Sequence, residues 1–357
     1  MSTPLPLGST IGILGGGQLG RMLSVAASRL GYKSHIFEPG ANPPAGQVAD
    51  QVTTAAYEDE AALIAFAQSV DVITYEFENI PTSALDVLES HRPIRPGREA
   101  LRVSQDRITE KDFLTNLGLK TAPYAQIDSA EDLRRAMGDI GTPSILKTRR
   151  FGYDGKGQVR LSDDSDPAQA MQDVADAPSV LEGFVNFSHE VSVIAARGIG
   201  GDVACFDPGE NVHEGGILRT TTVPARLPGT LRMDAVLIAS QILNALDYVG
   251  VMGVELFVTR EGLIVNEIAP RVHNSGHWTQ NGCAVDQFEQ HIRAVTGLPL
   301  GDGARHNDVV MENLIGADMD RVPELLTEPH VALHLYGKAE AKPGRKMGHV
   351  NRVTPAK

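Results

Sequence analysis

The chain has 357 residues, of which 42% are hydrophobic and 22% charged, a composition typical of a globular protein with two or three domains. Its net charge of −13 at pH 7 argues against a general nucleic-acid binder but allows a local basic pocket for a small anion. Cys205 and Cys283 have no metal-binding or redox spacing, so we expect reduced thiols in a cytoplasmic protein. The N-terminus does not resemble a signal peptide, and no stretch reaches the length of a membrane span.

The first elements predict an α/β domain. A short apolar strand over residues 11–14 runs into Gly15-Gly-Gly-Gln-Leu-Gly20, a match to GxGxxG, and apolar residues then recur at helical spacing. A second strand ends at Glu38, where a dinucleotide fingerprint carries an acid. Backbone N–H groups at such a helix start bind phosphate, and the pattern leaves open whether that phosphate belongs to NAD or to a phosphorylated substrate. A third strand runs into Glu76 and Glu78, at the sheet edge that binds ligands in such domains, although a solvated loop is an equal alternative.

The middle of the chain combines a strand, a basic glycine-rich loop and another strand. Lys147 ends the first strand, and the loop Arg149-Arg-Phe-Gly-Tyr-Asp-Gly-Lys-Gly-Gln158 follows. The Walker A pattern is absent and no helix follows directly, so this is not a P-loop. A hairpin loop of this kind can fold over phosphates while a strand lysine reaches them, as in protein kinases. The alternative is a surface hairpin without a ligand.

Two carboxylates lie in apolar runs further along the chain. Glu255 and Glu267 flank a strand–turn–strand pattern, so a hairpin would bring them side by side. Buried carboxylates need a partner, and Mg²⁺ takes one or two of them together with nucleotide phosphates. Two edge-strand acids in solvent are the alternative.

Polar groups directly follow this acidic pair. His273 and His277 are four residues apart, but Asn274 stands where a zinc protease has its glutamate, so we reject that interpretation. We predict that Arg271, His273 and Asn274 donate to an anion beside the metal; bonds to loop backbone are the alternative. The C-terminal segment is basic within an acidic protein and predicts a phosphate clamp on an ordered element, with a solvated tail as the alternative.

Together these motifs resemble the ATP-grasp superfamily and, over the whole length, its 5-(carboxyamino)imidazole ribonucleotide synthase family. The segments that carry the resemblance are Gly15–Met22, Arg150–Gln158, Gly215–Thr220, Glu267–Gly282 and Lys342–Lys346. The resemblance implies a mixed α/β and α+β fold. A Rossmann-like pre-ATP-grasp domain would span residues 1–108, an ATP-grasp domain residues 109–300, with lobes at about 109–186 and 187–300, and a small β-rich domain residues 301–357.

The same resemblance implies the reaction. ATP, bicarbonate and 5-aminoimidazole ribonucleotide would give the carboxylated ribonucleotide, ADP and phosphate through carboxyphosphate, in de novo purine synthesis. ATP and Mg²⁺ would be the cofactors, the partners would be small molecules only, and a cytoplasmic homodimer is expected. His273 is the first candidate for the base that takes the substrate's amine proton.

The resemblance also implies four groups of site residues. The ATP site would contain Arg107, Lys147, Gly152, Tyr153, Asp154, Gly155, Lys156, Gly157, Gln158, Glu182, Gly183, Phe184, Val185, Glu190, His213, Asn266 and Glu267. The ribonucleotide site would contain Gln18, Leu19, Glu76, Tyr153, Asp154, Lys338, Arg345 and Lys346. The metal ligands would be Glu255 and Glu267, and the catalytic groups Arg271, His273, Asn274 and Lys147.

Three other functions compete with this interpretation. A sibling ATP-grasp ligase, such as one that formylates glycinamide ribonucleotide, would share the nucleotide site, but the segment 273–282 favours the carboxylating family. An NAD-dependent dehydrogenase would explain the GxGxxG turn and leave both the basic loop and the acidic pair without a role. A non-catalytic nucleotide-binding regulator fits poorly with intact metal and lysine positions.

Overall fold

The computed structural model describes residues 3–152 and 155–356, and its N-terminal part is a parallel sheet flanked by helices. The strands are β1 (Thr10–Leu14), β2 (Lys33–Phe37), β3 (Gln51–Thr53) and β4 (Val72–Tyr75). The helices are α1 (Gln18–Arg29), α2 (Glu60–Gln68), α3 (Thr82–Glu89) and α4 (Arg98–Ser104). The strand order is β3-β2-β1-β4, so the segments after β2 and β4 flank the glycine-rich turn after β1. The predicted strand–turn–helix–strand start is confirmed.

A second sheet is antiparallel and follows helix α5 (Arg107–Asn116). It contains β5 (Tyr124–Ile127), β6 (Ser144–Thr148), β7 (Gln158–Leu161) and β8 (Ser179–Gly183), in the order β5-β8-β6-β7. Its helices are α6 (Ala130–Ile140) and α7 (Pro167–Asp173). The Ser129 hydroxyl accepts the Asp132 N–H at 3.1 Å and so begins α6, and Leu133 on its buried face packs into the core with Leu146 and Leu181. This layer positions Lys147 and Glu182 on adjacent strands.

The third and largest sheet carries the acidic pair. Its strands are β9 (His189–Arg197), β10 (Val203–Cys205), β11 (Gly209–Glu214), β12 (Ile217–Val223), β13 (Gly250–Thr259), β14 (Gly262–Ala269), β15 (Asn307–Ile315), β16 (Val331–Leu335) and β17 (Lys346–Pro355). The accompanying helices are α8 (Gly229–Ala245), α9 (Thr279–Gly282), α10 (Gln287–Thr296) and α11 (Val322–Leu325). The order is β14-β13-β9-β11-β12-β15-β17-β16, with β10 paired to β9. Helix α8 buries an apolar stripe, including Ala235, Ala239 and Ile242, against this sheet.

The C-terminal strands join the same sheet as the acidic hairpin, because β15 pairs with β12 in an antiparallel ladder. The N-terminal domain is tied to this sheet through α10: Arg29 contacts Asp286 and Glu289, and His291 bonds Thr74. The exact domain boundaries remain predictions. Among the residues described, no helix has both the length and the apolar character that crossing a bilayer requires.

Candidate active site

The predicted hairpin is confirmed, and it places Glu255 directly opposite Glu267. The two residues are register partners in the antiparallel pair of β13 and β14, with an irregularity between Glu255 and Leu256. Directly opposed residues of an antiparallel pair share one face of the sheet. The two carboxylates therefore project to the same side, and the Glu255 side chain is only 13% exposed.

The pKa values of the two carboxyl groups are shifted in opposite directions. Burial raises the pKa of Glu255 to about 7, and the neighbouring charge of Glu267 adds to the rise. Burial also raises the pKa of Glu267, but the charges of Arg107 and Lys147 lower it by more, so its net pKa is below the ordinary value. Arg107 Nη1 lies 3.2 Å from Glu267 Oε2. A cation between the two acids would offset the charge of Glu267 and so lower the pKa of Glu255.

The acidic pair fits Mg²⁺ by its donor chemistry. Carboxylate oxygens on adjacent strands are hard ligands, and Mg²⁺ usually binds through one or two carboxylates and completes its shell with water and substrate phosphates. Within residues 3–152 and 155–356, no group of three or more histidine, cysteine or acidic side chains is arranged to hold a metal ion by itself. The protein thus offers two carboxylates rather than a complete cage.

A buried cluster of one carboxylate and two lysines lies on the neighbouring elements. Glu182 Oε2 is 3.0 Å from Lys147 Nζ and 3.7 Å from Lys111 Nζ, and Lys111 also donates to the Asn266 carbonyl at 2.6 Å. Burial raises the pKa of Glu182, but the two lysines lower it by more, to about 2. Lys147 is thus held in place by a fixed negative charge. The sequence analysis missed Lys111, whose only local signal is its place on the buried side of α5.

The glycine-rich loop between β6 and β7 faces the turn between β11 and β12. Gly155 and Gly157 have φ values of 76° and 69°, in the left-handed region that glycine adopts most readily. A Cβ atom on Gly155 would lie 3.4 Å from the Gly215 carbonyl oxygen and 3.4 Å from Gly216 Cα. The loop therefore lies close to the backbone of the turn between β11 and β12. Of its predicted residues, Tyr153 and Asp154 lie outside the described residues.

The backbone of the predicted ATP-site segment Glu182–Val185 is partly used in hydrogen bonds within the chain. The N–H groups of Gly183 and Phe184 donate to the Pro123 and Pro143 carbonyls at 2.8 and 3.1 Å. The Val185 N–H has no acceptor among the residues described, which leaves it as the donor on this segment.

Glu190 Oε2 lies 3.1 Å from His213 Nδ1. Burial lowers the pKa of His213, but the neighbouring acidic groups, Glu190 first among them, raise it by more. The structure therefore brings these two predicted nucleotide-site residues together as a pair.

The three predicted donors after β14 are each held by a partner from a distant part of the chain. Arg271 makes a two-pronged contact with Glu78, at 2.5 Å from Nε and 3.2 Å from Nη2. Asn274 and Asn313 exchange amide hydrogen bonds of 2.9 and 2.8 Å. His273 Nε2 lies 3.6 Å from Glu255 Oε1. The sequence analysis did not predict these partners.

His273 is a neutral imidazole in this site. Burial lowers its pKa to about 3, and the positive charges of Arg271 and Lys346 add to the effect. A general base works best with a pKa near the working pH, so His273 is a poor candidate for the base that removes the amine proton. It suits a hydrogen-bond donor to an anion.

Two glutamates accept hydrogen bonds from three of the glycine amides in the GxGxxG turn. Gly16 N–H donates to Glu38 Oε2 at 2.7 Å, Gly20 N–H donates to Glu76 Oε2 at 2.8 Å, and Gly17 N–H also donates to Glu76. These amides are therefore not open to a phosphate. The amides of Gln18 and Leu19 have no acceptor within the described chain and remain the ones that could contact a substrate there.

The basic C-terminal cluster lies next to the turn that contains His273. Lys346 begins β17 and its charge acts on His273, and Lys338 Nζ donates to the Lys346 carbonyl at 2.7 Å. Arg345 Nη1 donates to the Glu340 carbonyl at 3.2 Å, which orders the same segment. The cluster is thus part of a folded element rather than a solvated tail.

Sequence models of three protein families match the chain in succession. They are the ribonucleotide synthetase preATP-grasp domain at residues 8–105, the ATP-grasp domain at residues 112–288 and the phosphoribosylaminoimidazole carboxylase C-terminal domain at residues 309–357. The first covers the parallel sheet, and the second covers the basic loop and the acidic pair. The third covers β15, β16 and β17.

Individual proteins are similar over nearly the whole length. The N5-carboxyaminoimidazole ribonucleotide synthase of Brucella melitensis biotype 1 is 56% identical over 356 residues, which cover 99% of this chain and 98% of that protein. The ADP complex of an N5-carboxyaminoimidazole ribonucleotide synthetase has a TM-score of 0.95 and 43% identity, covering 99% of this chain and 94% of that one. The synthase of Aspergillus clavatus, in complex with ADP and 5-aminoimidazole ribonucleotide, has a TM-score of 0.92 and 31% identity, covering 98% and 95%.

Proposed function

Because this chain belongs to the N5-carboxyaminoimidazole ribonucleotide synthase family of ATP-grasp ligases, we propose that it joins bicarbonate to 5-aminoimidazole ribonucleotide through carboxyphosphate, with Mg²⁺ and the residues described above. The enzyme is an ATP-dependent ligase that carboxylates this ribonucleotide in purine biosynthesis. One observation carries the residue assignment: Glu255 lies opposite Glu267 on adjacent strands. Arg107 contacts Glu267, and His273 lies beside Glu255.

ATP would bind between the Lys147–Glu182–Lys111 cluster and the acidic pair. Glu182 fixes Lys147 so that its ammonium group can contact phosphates, and Arg107 supplies a second positive charge beside Glu267. Glu255 and Glu267 would hold Mg²⁺, which when bound supplies charge neutralisation on the transferring phosphoryl group. The glycine-rich loop would cover the phosphates and exclude water, which would otherwise hydrolyse carboxyphosphate.

The carboxyl-transfer half of the site would use the turn after β14. Arg271 and Asn274 are already oriented by Glu78 and Asn313, so their remaining N–H groups can bind bicarbonate without further ordering. His273 would donate a hydrogen bond to the same anion as a neutral imidazole. The ribonucleotide would bind with its phosphate near Lys338, Arg345 and Lys346, and with Gln18, Leu19 and Glu76 along its other side.

We further propose a cytoplasmic enzyme that forms a homodimer. Cys205 and Cys283 are both free thiols in the structure, which fits a reducing compartment. The dimer is inferred from the family, and light scattering of the purified protein measures it directly.

The testing experiment measures ADP release with MgATP and bicarbonate, with and without 5-aminoimidazole ribonucleotide. We expect strong stimulation by the ribonucleotide and a carboxylated product trapped from labelled bicarbonate. ADP release without labelled product would mean that carboxyphosphate is not transferred to the ribonucleotide, and no ADP from a folded protein would overturn the ligase assignment.

The separate roles of two residues provide a second test. Glu267→Gln should abolish ADP release because it removes a metal ligand, whereas His273→Ala should keep ADP release and lose the carboxylated product. The reverse pattern would refute both assignments.

A further inference from the structure

Two buried serines stand in a line behind His273. Ser192 on β9 is the register partner of Glu255, and Ser275 lies two residues after His273. The exposed fractions of Ser192 and Ser275 are 2% and 0%. Ser192 Oγ is 2.7 Å from Ser275 Oγ, which is 2.8 Å from His273 Nδ1. The hydroxyls therefore connect the central strand of the site to the imidazole.

The direction of these hydrogen bonds follows from the Ser275 backbone N–H, which donates to His273 Nδ1 and makes that nitrogen an acceptor. Ser192 donates its hydroxyl hydrogen to Ser275 Oγ. Ser275 Oγ therefore keeps its own hydrogen, which it can donate to His273 Nδ1 at 2.8 Å. The Ser275 N–H also points to Nδ1, at 3.4 Å. Nδ1 is thus the acceptor, and in a neutral ring the proton lies on Nε2, the nitrogen that faces Glu255 at 3.6 Å.

The position of the ring is fixed as tightly as its proton. Gln287 is fully buried, accepts the His273 N–H at 2.9 Å and donates to the His273 carbonyl at 2.8 Å. The ring packs against Gly253 on β13, where a Cβ atom would lie 2.7 Å from His273 Cβ. Gln287 thus holds the His273 backbone, and Gly253 limits where the ring can lie. The serines then determine which ring nitrogen carries the proton.

We propose that Ser192 and Ser275 are positioning residues that hold His273 with its proton on Nε2, so that the ring donates a hydrogen bond to the bicarbonate or carboxyphosphate beside Glu255. The opposite tautomer would present a lone pair to an anion and repel it. The inference rests on the proposed function for the identity of the anion, but the tautomer itself is a property of the free enzyme. Both hydroxyls lie behind the ring, so they act through His273 and do not touch the substrate.

The tautomer can be measured directly by ¹⁵N NMR of protein with labelled histidines. The His273 resonances are identified by their loss in His273→Gln. We expect a protonated Nε2 and an unprotonated Nδ1 in the native enzyme, and a shift toward a tautomer mixture in Ser275→Ala. Ser192→Ala should shift the same resonances less, since it removes the more distant hydroxyl. The matched control is Ser24→Ala on α1, which removes a buried hydroxyl that has no hydrogen-bond partner among the described residues.

Kinetics should follow the tautomer. A lost hydrogen bond predicts a fall of about tenfold in kcat for carboxylation in Ser275→Ala, with the KM for ATP unchanged. Ser275→Cys keeps a weak donor and should recover part of the loss. Ser24→Ala should behave as the native enzyme does.

Three results would overturn the proposal. The first is a native His273 with its proton on Nδ1. The second is a Ser275→Ala enzyme whose His273 resonances and kcat are unchanged. The third is a Ser275→Ala enzyme in which kcat falls while the His273 tautomer is unchanged, because the hydroxyl would then contribute only to packing. If Ser275→Ala does not fold, the same criteria apply to Ser192→Ala. Failure of the proposed function would appear instead as a missing carboxylated product in the native enzyme, which leaves the NMR result intact.

Discussion

Replacing Gly253 with alanine tests whether the position of the His273 ring controls carboxylation. Gly253 lies on β13, two residues before Glu255, and the ring packs against its backbone. A Cβ atom at this position would lie 2.7 Å from Cβ and 2.9 Å from Cγ of His273. Because Gly253 lies within a regular strand, this clash is the main effect of the substitution.

The size of the effect follows from the contact distance. Carbon atoms that are not bonded approach to about 3.5–4.0 Å, so the ring must move by about 1 Å. A displacement of that size in a positioned group lowers the rate by about 100-fold. Overpacking a buried site costs about 1–3 kcal/mol of the free energy of unfolding. We therefore expect an enzyme that folds, binds ATP with an unchanged KM, and carboxylates about 100-fold more slowly.

The assay compares Gly253→Ala with an equally crowded control. In Gly301→Ala the added Cβ would lie 2.8 Å from Val285 Cγ2. Gly301 lies in the segment between α10 and β15, far in sequence from the acidic pair. Both variants should lose similar stability in urea, but only Gly253→Ala should lose labelled product. Normal carboxylation by Gly253→Ala, with the stability loss present, would refute the argument that ring position is limiting.

Three further predictions concern stability and are measured by urea unfolding. Glu182→Ala leaves the buried ammonium groups of Lys111 and Lys147 without their carboxylate, so the free energy of unfolding should fall by about 3–5 kcal/mol; an unchanged value would mean that the lysines find other acceptors. Burial lowers the pKa of His291 to about 3, so between pH 6.5 and about 3 the unfolded state binds a proton that the folded state does not. Stability should therefore decrease as the pH falls through that window, and His291→Gln should reduce the slope by about 1.4 kcal/mol per pH unit; an equal slope in both proteins would contradict this. Gly138→Ala, on α6 with no atom within 4 Å of the added Cβ, should raise the free energy of unfolding by up to about 1 kcal/mol, and no change would show that helix propensity does not limit stability there.

The acidic hairpin could be predicted because all of its signals are local. Apolar residues around Glu255 and Glu267, with a short turn between them, specify two paired strands from a single stretch of sequence. The basic glycine-rich loop was predictable for the same reason. In both cases the physical cause, strand alternation or backbone freedom, lies within about ten residues of the group that it positions.

The partners that orient these groups could not be predicted in the same way. Glu78 and Arg271 are 193 residues apart, and Asn274 and Asn313 are 39 apart. Such pairs depend on how three sheets pack, and the sequence spacing carries no information about that packing. The sequence alone left a solvated loop as an equal alternative for Glu78, and loop backbone bonds as the alternative for Arg271 and Asn274.

The occupied GxGxxG turn shows where topology would have improved the prediction. Glu38 and Glu76 directly follow β2 and β4, which are the two neighbours of β1 in the parallel sheet. Residues after neighbouring parallel strands converge on the same edge, so both carboxylates face the amides after β1. The chain's own acids thus accept from the Gly16 and Gly20 amides on either side of the start of α1. At this edge of the sheet, a substrate could therefore contact the part of the turn that carries Gln18 and Leu19.

The turn after β14 is where the three parts of the chain meet, and this explains why it collects the proposed carboxyl-transfer groups. Arg271 is held from the N-terminal domain by Glu78, and His273 is held by Ser275 and the buried Gln287 within the region of the acidic pair. From the C-terminal strands, Asn313 holds Asn274 and Asn351 donates to the His277 carbonyl. A displacement of any one part would move at least one of these contacts. Carboxyl transfer should therefore be more sensitive than ATP binding to substitutions that loosen these contacts with the N-terminal domain and the C-terminal strands, because the proposed ATP site lies between the second sheet and the acidic pair.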